Sequence, residues 1–180
     1  MLSSNRLRDM NLWGALGIVL LTVYLSVATY LHWIQVTFRV GPYFFAHWLA
    51  WIGTLYIAFV TPVNYIMRRR NIKRVKVLRN IHMYGNLFAF ILISIHFFQQ
   101  VGRPPQFYPE LGTGLTLYLV VLVLVATGFV QRFQISPRLG KYGGETASAL
   151  PHYNRSIHVG TIIAFYLVII THILHGIRLL

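Results

Sequence analysis

The chain contains no cysteine, and only three of its 180 residues are acidic: Asp9, Glu110 and Glu145. The first absence excludes a disulfide framework, a thiolate zinc site, an iron–sulfur cluster and haem attachment through C-x-x-C-H. The second leaves the long apolar stretches without a carboxylate, which excludes a proton relay built on Asp or Glu across a membrane. Charge of either sign is scarce: charged residues are 11% of the chain and hydrophobic residues 56%, where a soluble domain carries about a quarter charged. No G-x-G-x-x-G and no P-loop is present. A dinucleotide or nucleoside triphosphate therefore finds no recognised phosphate cradle here, and nucleotide-derived electrons have to come from another polypeptide. A cleavable signal peptide is not expected, because the first apolar run far exceeds the roughly 7–15 residues of an h-region and ends without a small-residue cleavage site.

What the chain does have is length without charge. Positions 10–38, 40–67, 80–102, 111–131 and 156–177 carry no Asp, Glu, Lys or Arg. A bilayer-spanning helix needs ~20 mostly apolar residues at ~1.5 Å rise each, and all five runs reach that length. The expected fold is all-α: residues 1–180 form a single membrane domain of five transmembrane helices, at 11–35, 43–67, 80–100, 112–131 and 155–177. Gly41-Pro42 suits the start of the second helix. Pro104, Pro105 and Pro109 end the third. Pro137, Gly140, Gly143, Gly144 and Pro151 break the chain before the fifth. Tyr30, Trp33, Tyr43, Trp48 and Trp51 gather where the first two helices meet, as an interfacial aromatic belt does.

The formal charge of +13 is unevenly spread. Arg6 and Arg8 precede the first helix; Arg68, Arg69, Arg70, Lys73, Arg74, Lys76 and Arg79 lie between the second and third; Arg132, Arg138, Lys141 and Arg155 lie between the fourth and fifth. These segments share one side of the membrane and hold 13 of the 16 basic residues, leaving Arg39, Arg103 and Arg178 for the other. The positive-inside rule then puts the N-terminus in the cytoplasm and the C-terminus outside, in a multi-pass cell-membrane protein. Anionic lipid headgroups account for the 68–79 cluster, and nucleic acid is not an expected partner.

Histidine supplies the chemistry. His82 and His96 fall in the third helix, His158 and His172 in the fifth, and both separations are 14 residues. At ~100° per residue, 14 steps return to within ~40° of the starting direction, so each pair shares a helical face. The two imidazoles of a pair are ~21 Å apart along the axis, too far for one mononuclear metal with bonds of ~2 Å. With the third and fifth helices parallel, His82 comes level with His158 and His96 with His172. Facing imidazoles at two levels are what axial ligation of two haem irons requires. The flanks repeat as R-x-I-H, at Arg79-Asn80-Ile81-His82 and Arg155-Ser156-Ile157-His158. Glycines follow at Gly85 and Gly160, and Gly114 and Gly128 of the fourth helix repeat the histidine interval. Small residues are needed where a backbone nears a flat macrocycle.

R-x-x-H-x-x-G with a second histidine further along the same face, an intervening helix with glycines at the matching interval, and then H-x13-H resembles the di-haem four-helix core of cytochrome b from respiratory and photosynthetic bc complexes. The membrane domains of ferric reductases and NADPH oxidases follow the same logic. The resemblance covers the second to fifth helices. It implies two b-type haems, each bis-histidine ligated, with Arg79, His82, Gly85, His96, Gly114, Gly128, His158 and His172 at the motif positions. The Pro-Glu-Trp-Tyr quinol-site motif of bc-type cytochrome b is missing, as are the sixth helix and flavin domain of the ferric reductases, so the branch and a quinone site stay open.

Plainer readings stand beside these. A lone intramembrane histidine often only bonds helix to helix, and His175 competes with His172 but lies ~100° off the face of His158. Arg79 and Arg155 are either haem-propionate partners or ordinary positive-inside residues. His32, His47 and His175 form either a quinone or metal site or a scatter of interfacial polar groups. The preferred expectation is a di-haem electron-transfer subunit of a respiratory-type oxidoreductase complex, passing electrons between a partner redox subunit and quinone or across the bilayer. The alternatives are a self-contained ferric or metal reductase and a haem-free membrane anchor.

Overall fold

The computed structural model describes residues 4–103, 111–133 and 145–176. These are helical apart from turns and one short hairpin. The helices are α1 (Ser4–Tyr30), α2 (Phe45–Arg70), α3 (Val75–Val101), α4 (Leu111–Phe133) and α5 (Glu145–Gly176). Each holds a segment long and apolar enough to cross a membrane. Large apolar side chains such as Trp13, Leu20, Phe59, Phe88 and Leu167 are exposed. On a soluble protein they would be a liability, but they suit contact with lipid tails. Pro104, Pro105, Pro109, Pro137, Arg138, Gly140, Lys141, Gly143, Gly144 and Arg178 lie outside the described residues.

Helix ends depart from the sequence expectation in several places: α1 starts at Ser4 rather than 11 and α3 at Val75 rather than 80, and three further departures have identifiable reasons. α1 stops short of residue 35 because His32 takes a left-handed conformation, φ 60°. The His32 N–H bonds to the Thr29 carbonyl at 3.2 Å and the Trp33 N–H to the Ala28 carbonyl at 2.8 Å. This is a Schellman C-cap, with histidine where glycine is commoner. Pro42 does not start α2. Val40 pairs with Tyr43 in an antiparallel hairpin of β1 (Arg39–Val40) and β2 (Tyr43–Phe44). Gly41 at φ +61° takes the first turn position, and Pro42, locked at negative φ, takes the second, a pairing that fits a II′ turn. α5 begins at Glu145 rather than 155 and continues through Pro151. Absence of charge marks the apolar part of a helix, Tyr153–Gly176, and the backbone continues beyond it.

The chain divides into two compact units, Met1–Leu111 and Gly112–Leu180. In the first, α3 packs against both α1 and α2. α1 presents Ala15, Thr22, Ser26 and Thr29, all buried and small, on one side of the helix. Each hydroxyl donates to the carbonyl one turn back: Thr22 to Ile18 at 2.8 Å, Ser26 to Thr22 at 2.7 Å, Thr29 to Leu25 at 2.7 Å. Small, internally satisfied residues let membrane helices approach closely. The Tyr84 hydroxyl donates to Asn11 Oδ1 at 2.9 Å and ties α3 to α1. On the α2 side, a Cβ at Gly53 would stand 2.8 Å from the Ala89 carbonyl oxygen, so glycine there sets the α2–α3 distance.

α2 widens to a π turn over Tyr56–Val60, and the Thr61 N–H reaches back to the Tyr56 carbonyl. Pro62 follows at once, with no N–H to give. The turn carries the Tyr56 hydroxyl to the Ile81 carbonyl of α3, 2.9 Å away, and its ring fills the space above Gly85. A methyl group at Gly85 would run into that ring. Gly85→Ala is expected to destabilise the protein by about 1–3 kcal/mol, the usual cost of overpacking. In Gly85→Ala/Tyr56→Ala the added methyl should cost little beyond Tyr56→Ala alone. Thermal melts of the variants in detergent check this; additive losses in the double variant count against it.

Candidate cofactor site

α3 and α5 are continuous through their histidines. His82 and His96 therefore stay on one face of one helix, as do His158 and His172, ~21 Å apart along each axis. All four are half-buried. Among the described residues no three His, Asp or Glu side chains converge as a metal-chelating group.

The second unit repeats one arrangement twice. Thr127 Oγ1 of α4 lies 2.8 Å from His158 Nδ1 of α5, and Thr113 Oγ1 lies 3.1 Å from His172 Nδ1. The glycine following each threonine faces the same ring. A Cβ at Gly128 would stand 3.4 Å from His158 Cε1, and one at Gly114 would stand 3.6 Å from His172 Cε1. Thr127 also donates to the Val123 carbonyl at 2.7 Å, and Asn154 Nδ2 donates to the Thr127 carbonyl at 3.0 Å. α4 thus meets α5 at two Thr-Gly steps, Thr113-Gly114 and Thr127-Gly128, spaced as the histidines are. Beside the Thr113 step runs a groove of about 240 Å³ lined by Gly112, Thr113, Thr116, Leu167, Val168 and Thr171.

The first unit holds its histidines differently. Asn86 Nδ2 lies 3.1 Å from His82 Nδ1 and 2.6 Å from the His82 carbonyl oxygen, while Asn86 Oδ1 accepts from the Thr61 hydroxyl at 3.0 Å. An amide nitrogen only donates, so His82 Nδ1 accepts, the reverse of a ring that donates from Nδ1. Coordination by neutral His82 through Nε2 would require Asn86 to turn away. His96 meets the ring of His47 edge-on, centroids 4.8 Å apart at 65°. His47 in turn neighbours Phe44 and Tyr43. Two guanidinium groups flank Phe44, Arg39 at 4.9 Å and Arg103 at 5.3 Å from the ring centroid. Burial lowers the Arg103 pKa from its ordinary value, though an arginine in a protein stays charged.

Of the other residues singled out in the sequence, Arg79 and Arg155 are exposed, each one turn before a histidine. Gly85 faces Tyr56, and Gly160 has open space where its Cβ would stand. His32 caps α1, and its ring lies 3.4 Å from where a Cβ of Gly102 would be. The sequence reading passed over Thr113, Thr127, Asn86 and Tyr56. The first two were detectable, as the dipeptide Thr-Gly recurring at the histidine interval; nothing local in the sequence marks the others. Compared with family models, with curated proteins and with solved structures, the chain finds no match.

Proposed function

We propose that this chain is a di-haem b-type cytochrome, the membrane electron-transfer subunit of an oxidoreductase complex. The observation that carries the reading is one shared interval: two histidines on α3, two on α5, and two Thr-Gly steps on α4 that hold the α5 imidazoles. Among the described residues no three His, Asp or Glu side chains form a chelating group of their own. That suits a macrocycle that brings four nitrogen donors of its own and asks the protein for axial imidazoles. The second unit fits such a group best, since His158 and His172 are each oriented through Nδ1 and each has a glycine beside the ring.

In this reading His82 pairs with His158 and His96 with His172. When bound, a haem supplies a one-electron couple at each level. Two imidazoles at each level would hold the iron and leave no position open for direct oxygen binding. Arg79 and Arg155, exposed at helix positions one turn from His82 and His158, offer guanidinium groups that reach the interface and pair with anionic propionates. Gly114 and Gly128 keep bulk away from the α5 rings. Electrons pass between a partner redox subunit and a lipid-soluble quinone, or across the bilayer; the sequence carries no nucleotide cradle of its own.

The test is the reduced-minus-oxidised absorption spectrum of purified protein, together with its haem content. About two low-spin, non-covalent haems per chain are expected, reduced by dithionite and not by NADH or NADPH alone. A haem-free protein would leave a membrane anchor as the function. Fast reduction by a nucleotide with no other protein present would make the chain a self-contained reductase.

The basic asymmetry also sets an orientation: N-terminus cytoplasmic, C-terminus outside. A reporter active only outside the cytoplasm, fused after Leu180, is expected to be active, and the same reporter fused before α1 silent. The opposite pattern would overturn this orientation. Activity at both ends would mean an even number of crossings and overturn the five-span topology.

A further inference from the structure

We infer that Thr127 is a positioning residue that fixes the His158 imidazole as its Nδ1–H tautomer and so presents Nε2 as the metal-binding atom. The inference rests on the di-haem reading and adds to it the residue that prepares one of the ligands. A threonine hydroxyl has one proton. That of Thr127 is committed to the Val123 carbonyl, 2.7 Å away, because a carbonyl oxygen only accepts. Toward His158 Nδ1, at 2.8 Å, the hydroxyl oxygen therefore accepts. The proton between them belongs to the ring, and a neutral imidazole carrying its proton on Nδ1 has its lone pair on Nε2. Thr113 Oγ1 lies 3.1 Å from His172 Nδ1.

The consequence is electronic as well as geometric. A hydrogen bond accepted from Nδ1–H makes an imidazole a stronger donor to a metal. Stronger donation favours the ferric state, so removing the acceptor favours the ferrous state. Asn86 stands in contrast: it donates to His82 Nδ1 at 3.1 Å, which places the proton of a neutral ring on Nε2, and it would have to turn away before His82 could ligate.

The experiment is redox titration, with low-temperature EPR of the ferric haems, of wild-type, Thr127→Val and Thr127→Ser proteins. Thr127→Val keeps the side-chain shape and deletes the acceptor. It is expected to raise the ferrous-to-ferric ratio of one haem at fixed ambient potential by about fivefold, ~40 mV at ~59 mV per tenfold for one electron, with a change in that haem's EPR g-values. Thr127→Ser should match wild type in both readouts. A Thr127→Val protein that holds its haems with unmoved potentials and spectra overturns the inference and leaves the di-haem reading intact. If Thr127→Val loses a haem, retention by Thr127→Ser at the wild-type potential supports the inference, and equal loss from both overturns it. A wild-type protein without haem overturns the functional reading and this inference with it.

Discussion

Replacing His96 by leucine is expected to halve the haem content, from about two per chain to about one, and to leave the remaining haem low-spin. His82→Leu should give the complementary protein. The selectivity follows from distance: along α3 the two histidines are ~21 Å apart, so neither can serve the other's iron. Leucine has no ligating atom, yet it is apolar and of similar bulk, so a half-buried helix position tolerates it. One neighbour complicates the readout. The ring of His47 lies edge-on to His96 at 4.8 Å, near enough to step in as a substitute ligand once His96 is gone. His96→Leu/His47→Leu is therefore measured beside the single variant. Loss of one haem in the double variant and retention in the single would identify His47 as the substitute. Two haems retained in both would show that His96 is not a ligand. Pyridine haemochrome assay against protein concentration decides the matter.

How much of this was legible in the sequence differs from element to element. The five spans were, because a bilayer imposes one demand, a long stretch without charge, and charge is visible residue by residue. Their ends were not. His32 ends α1 through a backbone conformation that histidine seldom adopts, Gly41-Pro42 chooses a hairpin over a helix start, and α5 extends into polar residues that no hydropathy pattern assigns to a span. The candidate ligands were legible as a spacing. Their supports were only half so: Gly114 and Gly128 drew notice, while Thr113 and Thr127 did not, because a threonine in an apolar helix usually bonds its own backbone one turn back. Thr127 does that as well, and the bond to the neighbouring helix becomes visible only once the helices are placed. Gly85 illustrates the opposite difficulty. Its position in R-x-x-H-x-x-G points to a cofactor, but its nearest neighbour is Tyr56 of the preceding helix, carried there by a π turn.

The size of the residue at position 128 is expected to decide whether His158 keeps its place. A Cβ at Gly128 would lie 3.4 Å from His158 Cε1 and 3.9 Å from Nδ1, an ordinary van der Waals contact. Gly128→Ala is therefore expected to bind haem as the wild type does. It should also be slightly more stable, since alanine gains roughly 0.5–1 kcal/mol over glycine in a helix interior. Leucine places further carbons beyond that Cβ, in the volume the imidazole occupies. The ring has to move, and its bond to Thr127 at 2.8 Å breaks with it. Gly128→Leu should thus lose the haem assigned to His158 and keep the one assigned to His172. Gly114→Leu, whose Cβ would stand 3.6 Å from His172 Cε1, should do the reverse. A rival account, in which these glycines serve only to let α4 bend, makes a different forecast: alanine would already be harmful, and leucine would weaken both haems alike. Haem content and melting temperature of Gly128→Ala, Gly128→Leu and Gly114→Leu separate the accounts, and a Gly128→Leu protein with its full complement of haem would end the assignment of Gly128 to the cofactor site.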